Sequence, residues 1–255
     1  MIDIHSHILP GVDDGAPDFT HSIAMAQQAV KEGIKTMIAT PHHLDGKYTN
    51  PGRLIRERVA ELNQRIEEEN VPVKILSGQE IRIFGELADE LSGTELLTLG
   101  ETGPYVLIEL PSSQVPRYTE QLLFDIQLKG YIPVIAHPER NQEIIENPGQ
   151  LYNLVKKGAY SQVTALSVAG GFGKKIQKFS LSLIEHNLSH FIASDAHNTR
   201  TRPFKMAQAL DVIEKKFGSG MVYQLVENAE LMVEGSMAYK EDPRKVRQKK
   251  ILGIF

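Results

Sequence analysis

Apolar runs of strand length recur along the chain, and most of them end on an imidazole or a carboxylate. In order they are M-I-D-I-H-S-H (His5, His7), T-M-I-A-T-P-H-H (His42), V-K-I-L-S-G-Q-E (Glu80), Y-V-L-I-E-L (Glu109), I-P-V-I-A-H-P-E-R (His137) and H-F-I-A-S-D-A-H (Asp195, His197). Y-S-Q-V-T-A-L-S-V, over 160–168, reads as another strand. Between these runs the apolar period lengthens to that of amphipathic helices. Residues 20–32 carry Ile23, Ala26 and Val30 at helical spacing ahead of Gly33. Residues 51–69 place Leu54, Ile55, Val59, Leu62 and Ile66 on one face. Further helices are predicted over 118–129, 148–157, 174–187 and 203–217, with Gly130 and Gly158 as stops.

Strand alternating with helix predicts a parallel sheet with crossover helices. About seven strands are expected, against the usual eight of a (β/α) barrel. The A-G-G-F-G stretch (Ala169 to Gly173) lacks the G-x-G-x-x-G spacing and reads as a flexible loop. No internal repeat or linker divides the chain, so one domain over 1–255 is expected.

Composition narrows the function classes. The net charge of -4 and pI near 6.2 give no footprint for nucleic acid or a membrane surface. The longest apolar runs are strand-sized, so no membrane insertion is expected. A first strand starting at Ile2 points to a cytoplasmic protein without a signal peptide. There is no cysteine, which excludes disulfides, thiolate zinc sites, iron–sulfur clusters and a phosphocysteine mechanism. The basic R-K-V-R-Q-K-K (Arg244 to Lys250) reads as a solvated face or a docking segment.

The strand ends carry the chemistry. Residues at i and i+2 on a strand share a face, so His5 with His7, and Asp195 with His197, can each reach one ion. Asp13 and Asp14, in G-V-D-D-G, sit on a loop that could fold one carboxylate over the site. Of the adjacent His42 and His43 only one can face inward. Glu80 and Glu109 end apolar runs, where an uncompensated carboxylate is costly to bury; a metal or an arginine would compensate it. His21, His186 and His190 lie outside the pattern and read as surface or packing residues. A parallel barrel gathers its strand ends at one mouth, so the recurrence points to a multinuclear site there. Imidazole and carboxylate without sulfur suit Zn, Mn or Fe.

The H-S-H, the P-H-H, Glu80, the A-H-P-E-R and the S-D-A-H together resemble the motifs of the polymerase and histidinol phosphatase (PHP) superfamily. D-I-H-S-H-I-L-P-G-V-D-D-G and I-A-H-P-E-R bring the chain closer to its bacterial protein-tyrosine-phosphatase branch, found with capsule and exopolysaccharide tyrosine kinases. The resemblance spans Met1 to about Arg202. It implies a distorted (β/α)7 barrel with three divalent ions, manganese foremost, iron or zinc otherwise. His5, His7, Glu80 and Asp195 would hold the first ion. Glu80 would bridge to a second with Glu109 and His137. Asp14, His42 and His197 would hold the third, with Asp13 as the competing neighbour. Arg140 and Arg202 match the arginines beside the substrate phosphate. The implied substrates are phosphotyrosine proteins, including the tail of a bacterial tyrosine kinase. A histidinol-phosphatase-like enzyme, a nucleic-acid phosphoesterase and a non-catalytic kinase-binding scaffold are the rival readings.

Overall fold

Parallel strands form the centre of the molecule over residues 1–246, the part of the chain that the computed structural model describes. They are β1 (Ile2–Ser6), β2 (Thr36–Ala39), β3 (His42–His43), β4 (Lys74–Ser77), β5 (Glu80–Arg82), β6 (Tyr105–Glu109), β7 (Ile132–Ala136), β8 (Tyr160–Thr164) and β9 (Phe191–Ala193). The hydrogen-bonded order is β1-β2-β4 in one sheet and β3-β5-β6-β7-β8-β9 in the other. Only Thr40 and Pro41 separate β2 from β3, and only Gly78 and Gln79 separate β4 from β5. These breaks interrupt two continuous staves, so the strands make the seven staves expected. Pro41 has no N–H to give to the ladder; its carbonyl still accepts from Glu80 N at 3.2 Å. The two outer staves meet: Asp195 N donates to His5 O and His7 N to Ala196 O, both at 2.9 Å. The fold is the α/β arrangement of parallel staves that the alternation predicts.

The helices Phe19–Lys31, Gly52–Glu68, Thr119–Leu128, Gly149–Lys156, Lys174–Glu185 and Met206–Phe217 fall where the apolar period places them. Their buried positions follow that period, as with Ile55, Val59, Leu62 and Ile66. Gly158 ends its helix at φ +111°, a backbone state that a side chain disfavours.

The run over 160–168 divides. Its strand stops at Thr164, and Ala165–Val168 is a short helix. The Glu139 carboxylate causes the turn by accepting from Thr164 N at 2.9 Å and Ser167 Oγ at 2.7 Å. The loop after it is a hydrogen-bonded turn rather than an open one: Gly171 N donates to Leu166 O at 2.8 Å and Gly173 N to Gly170 O at 3.0 Å.

The helix Ser219–Val233 has no counterpart in the sequence reading, because apolar residues spread around its circumference blur the period. It lies against the N-terminal ends of the staves, where Ala229 and Met232 join Tyr105, Tyr160, Phe191 and Ile4 in a second apolar cluster. Its buried Asn228 donates to His190 O at 2.8 Å and accepts from Tyr239 N at 2.7 Å. His190 is a packing residue, as expected; its ring lies 4.8 Å from that of Tyr160. One end of the staves is thus sealed, and the opposite end carries the polar residues. Of the basic C-terminal run, Arg244 N donates to His186 O at 2.8 Å and Lys245 lies over the Tyr152 ring. Residues 247–250 of that run lie outside the described part. Among the described residues no helix is long and apolar enough to cross a membrane.

Candidate metal centre

The strand-end histidines and carboxylates converge at the C-terminal mouth. A bulge in β1 makes this possible. Asp3 pairs with Met37 but Ser6 with Ala39, so β1 has one residue more than β2 over that span. The irregularity lets Ile4 join the apolar cluster while His5, next in sequence, reaches the mouth.

His5 Nε2 and His7 Nε2 face each other at 3.2 Å. Each also stands 3.4 Å from Glu80 Oε2 and 3.4 Å from Asp195 Oδ1. The outer ring nitrogens are committed elsewhere. His5 Nδ1–H donates to Gln162 Oε1 at 3.0 Å, and His7 Nδ1–H to Asp13 Oδ2 at 2.7 Å. In the neutral rings with the proton on Nδ1, both Nε2 atoms would present lone pairs to each other and to two carboxylate oxygens. A positive charge is needed at the centre of that group. Ligand atoms about 2.0–2.2 Å from one ion stand about 3–3.5 Å apart, the spacing seen here.

A second group shares its edge with the first. His42 Nε2 and His197 Nε2 lie 3.4 and 3.3 Å from Asp14 Oδ1. His197 Nδ1–H donates to Asp195 O at 3.0 Å, which again leaves Nε2 free to ligate. His42 Nδ1 points the other way, 2.9 Å from Glu80 Oε2 and 3.8 Å from Glu109 Oε2. His137 Nε2 flanks the same two carboxylates, 2.7 Å from Glu80 Oε1 and 3.9 Å from Glu109 Oε1. Three overlapping sets therefore have metal-ligating geometry: His7, Asp14, His42 and His197; His5, His7 and Glu80; His42, Glu80 and Glu109. His42 Nδ1, Glu80 Oε2, Asp195 Oδ1 and His197 Nε2 are buried without a hydrogen-bond partner. Such atoms are costly to bury unless something else satisfies them, and metal ions fit this donor set.

The electrostatics agree. Burial disfavours the Asp195 anion, but Arg140 and His5 outweigh it and hold the carboxyl well below the usual range. Burial likewise opposes the Glu80 anion, and His5 and His42 overcome it. Burial, then the charge of Glu80, push Glu109 up to about 7 despite Arg82. His42 is raised to about 10: burial opposes its charge, but Glu80 and Asp14 prevail. His137 and His197 are each lowered to about 4, chiefly by burial, then by Arg140 and His7 respectively. His137 and Asp195 also have left-handed backbones, at φ +31° and +51°. Such strain costs on the order of 1–3 kcal/mol per residue and gathers at functional sites.

All nine predicted ligand positions meet at this mouth. The geometry puts Asp14, and not Asp13, beside the Nε2 atoms of His42 and His197. Asp13 instead accepts from His7 Nδ1, Gly15 N and His42 N, fixing the loop and the ring behind the site. His43 turns away, accepting from Asn50 N through Nδ1. Arg140 Nη1 and Arg202 Nη2 both reach Asp195 Oδ2, at 2.8 and 2.9 Å, which leaves Oδ1 for the histidines. A cavity of about 120 Å³, lined in part by Glu109, Ser112, His137, Arg140 and Asn141, opens beside them.

Sequence reasoning missed Gln162, the orienting role of Asp13, and Arg82, whose Nη2 lies 2.9 Å from Glu109 Oε2. Arg82 stands two residues after Glu80 on β5, the spacing that linked His5 to His7 and could have revealed it. Asp13→Ala should weaken metal binding about 10- to 100-fold, the usual effect of removing the partner of a ligating histidine. A calorimetric titration of the stripped protein would measure this. Unchanged affinity would mean that His7 is oriented without Asp13.

The profile of the family described as capsular polysaccharide synthesis, CpsB/CapC, matches residues 1–234. The chain is 55% identical over 255 residues to the tyrosine-protein phosphatase YwqE of Bacillus subtilis, covering the whole of both. It is 39% identical over 256 residues to the putative tyrosine-protein phosphatase CapC of Staphylococcus aureus, again covering both. A crystal structure described among the metal-dependent tyrosine phosphatases YwqE and CpsB superposes with a TM-score of 0.95. It is 55% identical and covers 97% of this chain and all of its own. By its sequence, its fold and the residues at its mouth, the chain belongs to the CpsB/CapC family of capsular polysaccharide synthesis proteins.

Proposed function

We propose that the chain is a metal-dependent protein-tyrosine phosphatase, a single cytoplasmic phosphatase domain over 1–255 that acts in control of capsule or exopolysaccharide synthesis. Its substrates are phosphotyrosine proteins, the tail of a bacterial tyrosine kinase among them. The observation that carries the reading is the set of four facing atoms of His5, His7, Glu80 and Asp195, with two arginines anchored on the same aspartate.

These groups would serve three divalent ions. His5, His7, Glu80 and Asp195 would hold the first; Glu80, Glu109 and His137 the second; Asp14, His42 and His197 the third. Manganese is the first candidate, with iron or zinc compatible with the same donors. When bound, such ions supply Lewis acidity toward phosphoryl oxygens and activate water for in-line attack.

The protein's own groups do the rest. Arg140 and Arg202 each use one N–H on Asp195 and keep others for the phosphoryl group. Their side chains are partly exposed toward solvent, so a substrate can reach them. Asp13 and Gln162 keep His7 and His5 in the ligating tautomer. A tyrosinate leaves readily, since the phenol pKa is about 10. No strong general acid is therefore required at the mouth.

The test is phosphate release from two peptides that differ only in phosphotyrosine or phosphoserine, with histidinol phosphate as the third substrate. Faster release from phosphotyrosine is expected, because the serine alkoxide leaves poorly. Equal rates on the two peptides, or a preference for histidinol phosphate, would move the chain to the small-molecule phosphatases.

A further inference from the structure

An exposed aromatic side chain stands at the mouth beside one of the two arginines. Phe172 lies in the turn that follows β8 and the helix Ala165–Val168, with its ring centroid 5.7 Å from the Arg140 guanidinium carbon. It is 37% exposed. A single exposed phenylalanine is ordinary on a protein surface; this one differs in how it is held. Gly170 and Gly173, on either side, have φ of +91° and +89°. A Cβ on Gly171 would come within 2.3 Å of Leu166 Cδ1. The Gly171–Leu166 and Gly173–Gly170 backbone bonds fix the turn, and Gln177 Nε2 donates to Val168 O at 3.0 Å beneath it. The turn is built tightly and still leaves a large apolar ring in partial contact with water.

Arg140 is paired with Asp195 and lies within cation–π reach of this ring. The function proposed above has Arg140 hold a phosphoryl oxygen, and the present inference rests on that reading. In an aryl ester the ring begins one ester oxygen away from phosphorus. Aromatic pairs interact with centroids about 4.5–7 Å apart, a reach that Phe172 has over a group held on Arg140. An alkyl phosphate or free phosphate offers no ring at that position. We infer that Phe172 forms the wall against which the phenyl ring of the substrate packs, and that it contributes to selection of aryl over alkyl phosphate esters.

The experiment compares three competitive inhibitors of phosphotyrosine-peptide hydrolysis: phenylphosphonate, propylphosphonate and inorganic phosphate. Phe172→Ala should weaken phenylphosphonate about two- to ten-fold, the worth of one aromatic contact. It should leave propylphosphonate, inorganic phosphate and metal content unchanged. Phe172→Trp should restore the phenylphosphonate affinity, and Phe172→Leu should not. Equal weakening of all three inhibitors would show that Phe172 only supports Arg140. No change in any of them would show that the ring does not meet the substrate. Failure of every inhibitor to compete in the unsubstituted enzyme would instead overturn the phosphate-binding reading beneath the inference.

Discussion

Glu80→Ala should be the most damaging single substitution at the metal centre. Its Oε2 lies within 3.4 Å of His5 and His7 and 2.9 Å from His42, and its Oε1 lies 2.7 Å from His137. One buried carboxylate thus faces four imidazoles, and no other acid at the mouth reaches as many. Its removal leaves those rings, and any ions among them, without the anion they share. Loss of activity should exceed the roughly 100-fold typical of removing an outer partner of a ligand. Metal content measured by elemental analysis should fall with it. Glu80→Gln keeps the shape but not the charge, and should lose metal as well. His21→Ala is the control: that ring is exposed and, among the described residues, bonded to Asp18 alone, and turnover should barely change. Equal losses at the two positions would contradict the assignment of the mouth.

Arg140→Ala and Arg202→Ala should each lower kcat/KM about a hundred- to thousand-fold, or roughly 2.7–4 kcal/mol, the worth of a donor to a developing charge. Lysine should recover little at either position, because a point charge cannot reproduce a planar fork. The structure adds a distinction between single and double variants. Both guanidiniums anchor Asp195 Oδ2, so either one alone still holds that carboxylate. Single variants should keep their metal; the double variant should lose part of it, since Asp195 is then unrestrained. Elemental analysis beside steady-state kinetics separates these effects. Metal loss in both single variants would make the arginines supports of the centre rather than phosphate-binding groups.

Much of this site was legible because metal ligands violate the pattern in which they sit. A histidine or carboxylate at the end of an apolar strand has to be compensated, and the repetition at successive strand ends points to one shared solution. The seven-stave count followed from the same runs, although Pro41 and the Gly78–Gln79 pair divide two of the staves. What the sequence left open depends on where non-local groups arrive. Asp13 and Asp14 are chemically alike and adjacent, and only the course of their loop puts one behind His7 and the other before His197. The sharing of Asp195 by two arginines brings Arg140, from the turn after β7, to the segment after β9 that holds Asp195 and Arg202. Helix Ser219–Val233 escaped notice because it packs on the sealed end of the staves and shows no clean apolar stripe. The end of the strand at Thr164 was invisible because the Glu139 carboxylate that accepts from Thr164 N comes from the turn Pro138–Arg140 after the preceding stave.

The central claim, that this mouth is a metal-dependent phosphotyrosine hydrolase, is tested most directly by removing and returning the metal. The protein is stripped with a chelator, its metal content is measured, and phosphate release from a phosphotyrosine peptide is followed as Mn²⁺ is added back. The account predicts no turnover in the stripped protein and recovery that rises with bound metal, with Glu80→Ala showing neither binding nor recovery. Full activity in protein that elemental analysis finds metal-free would contradict it.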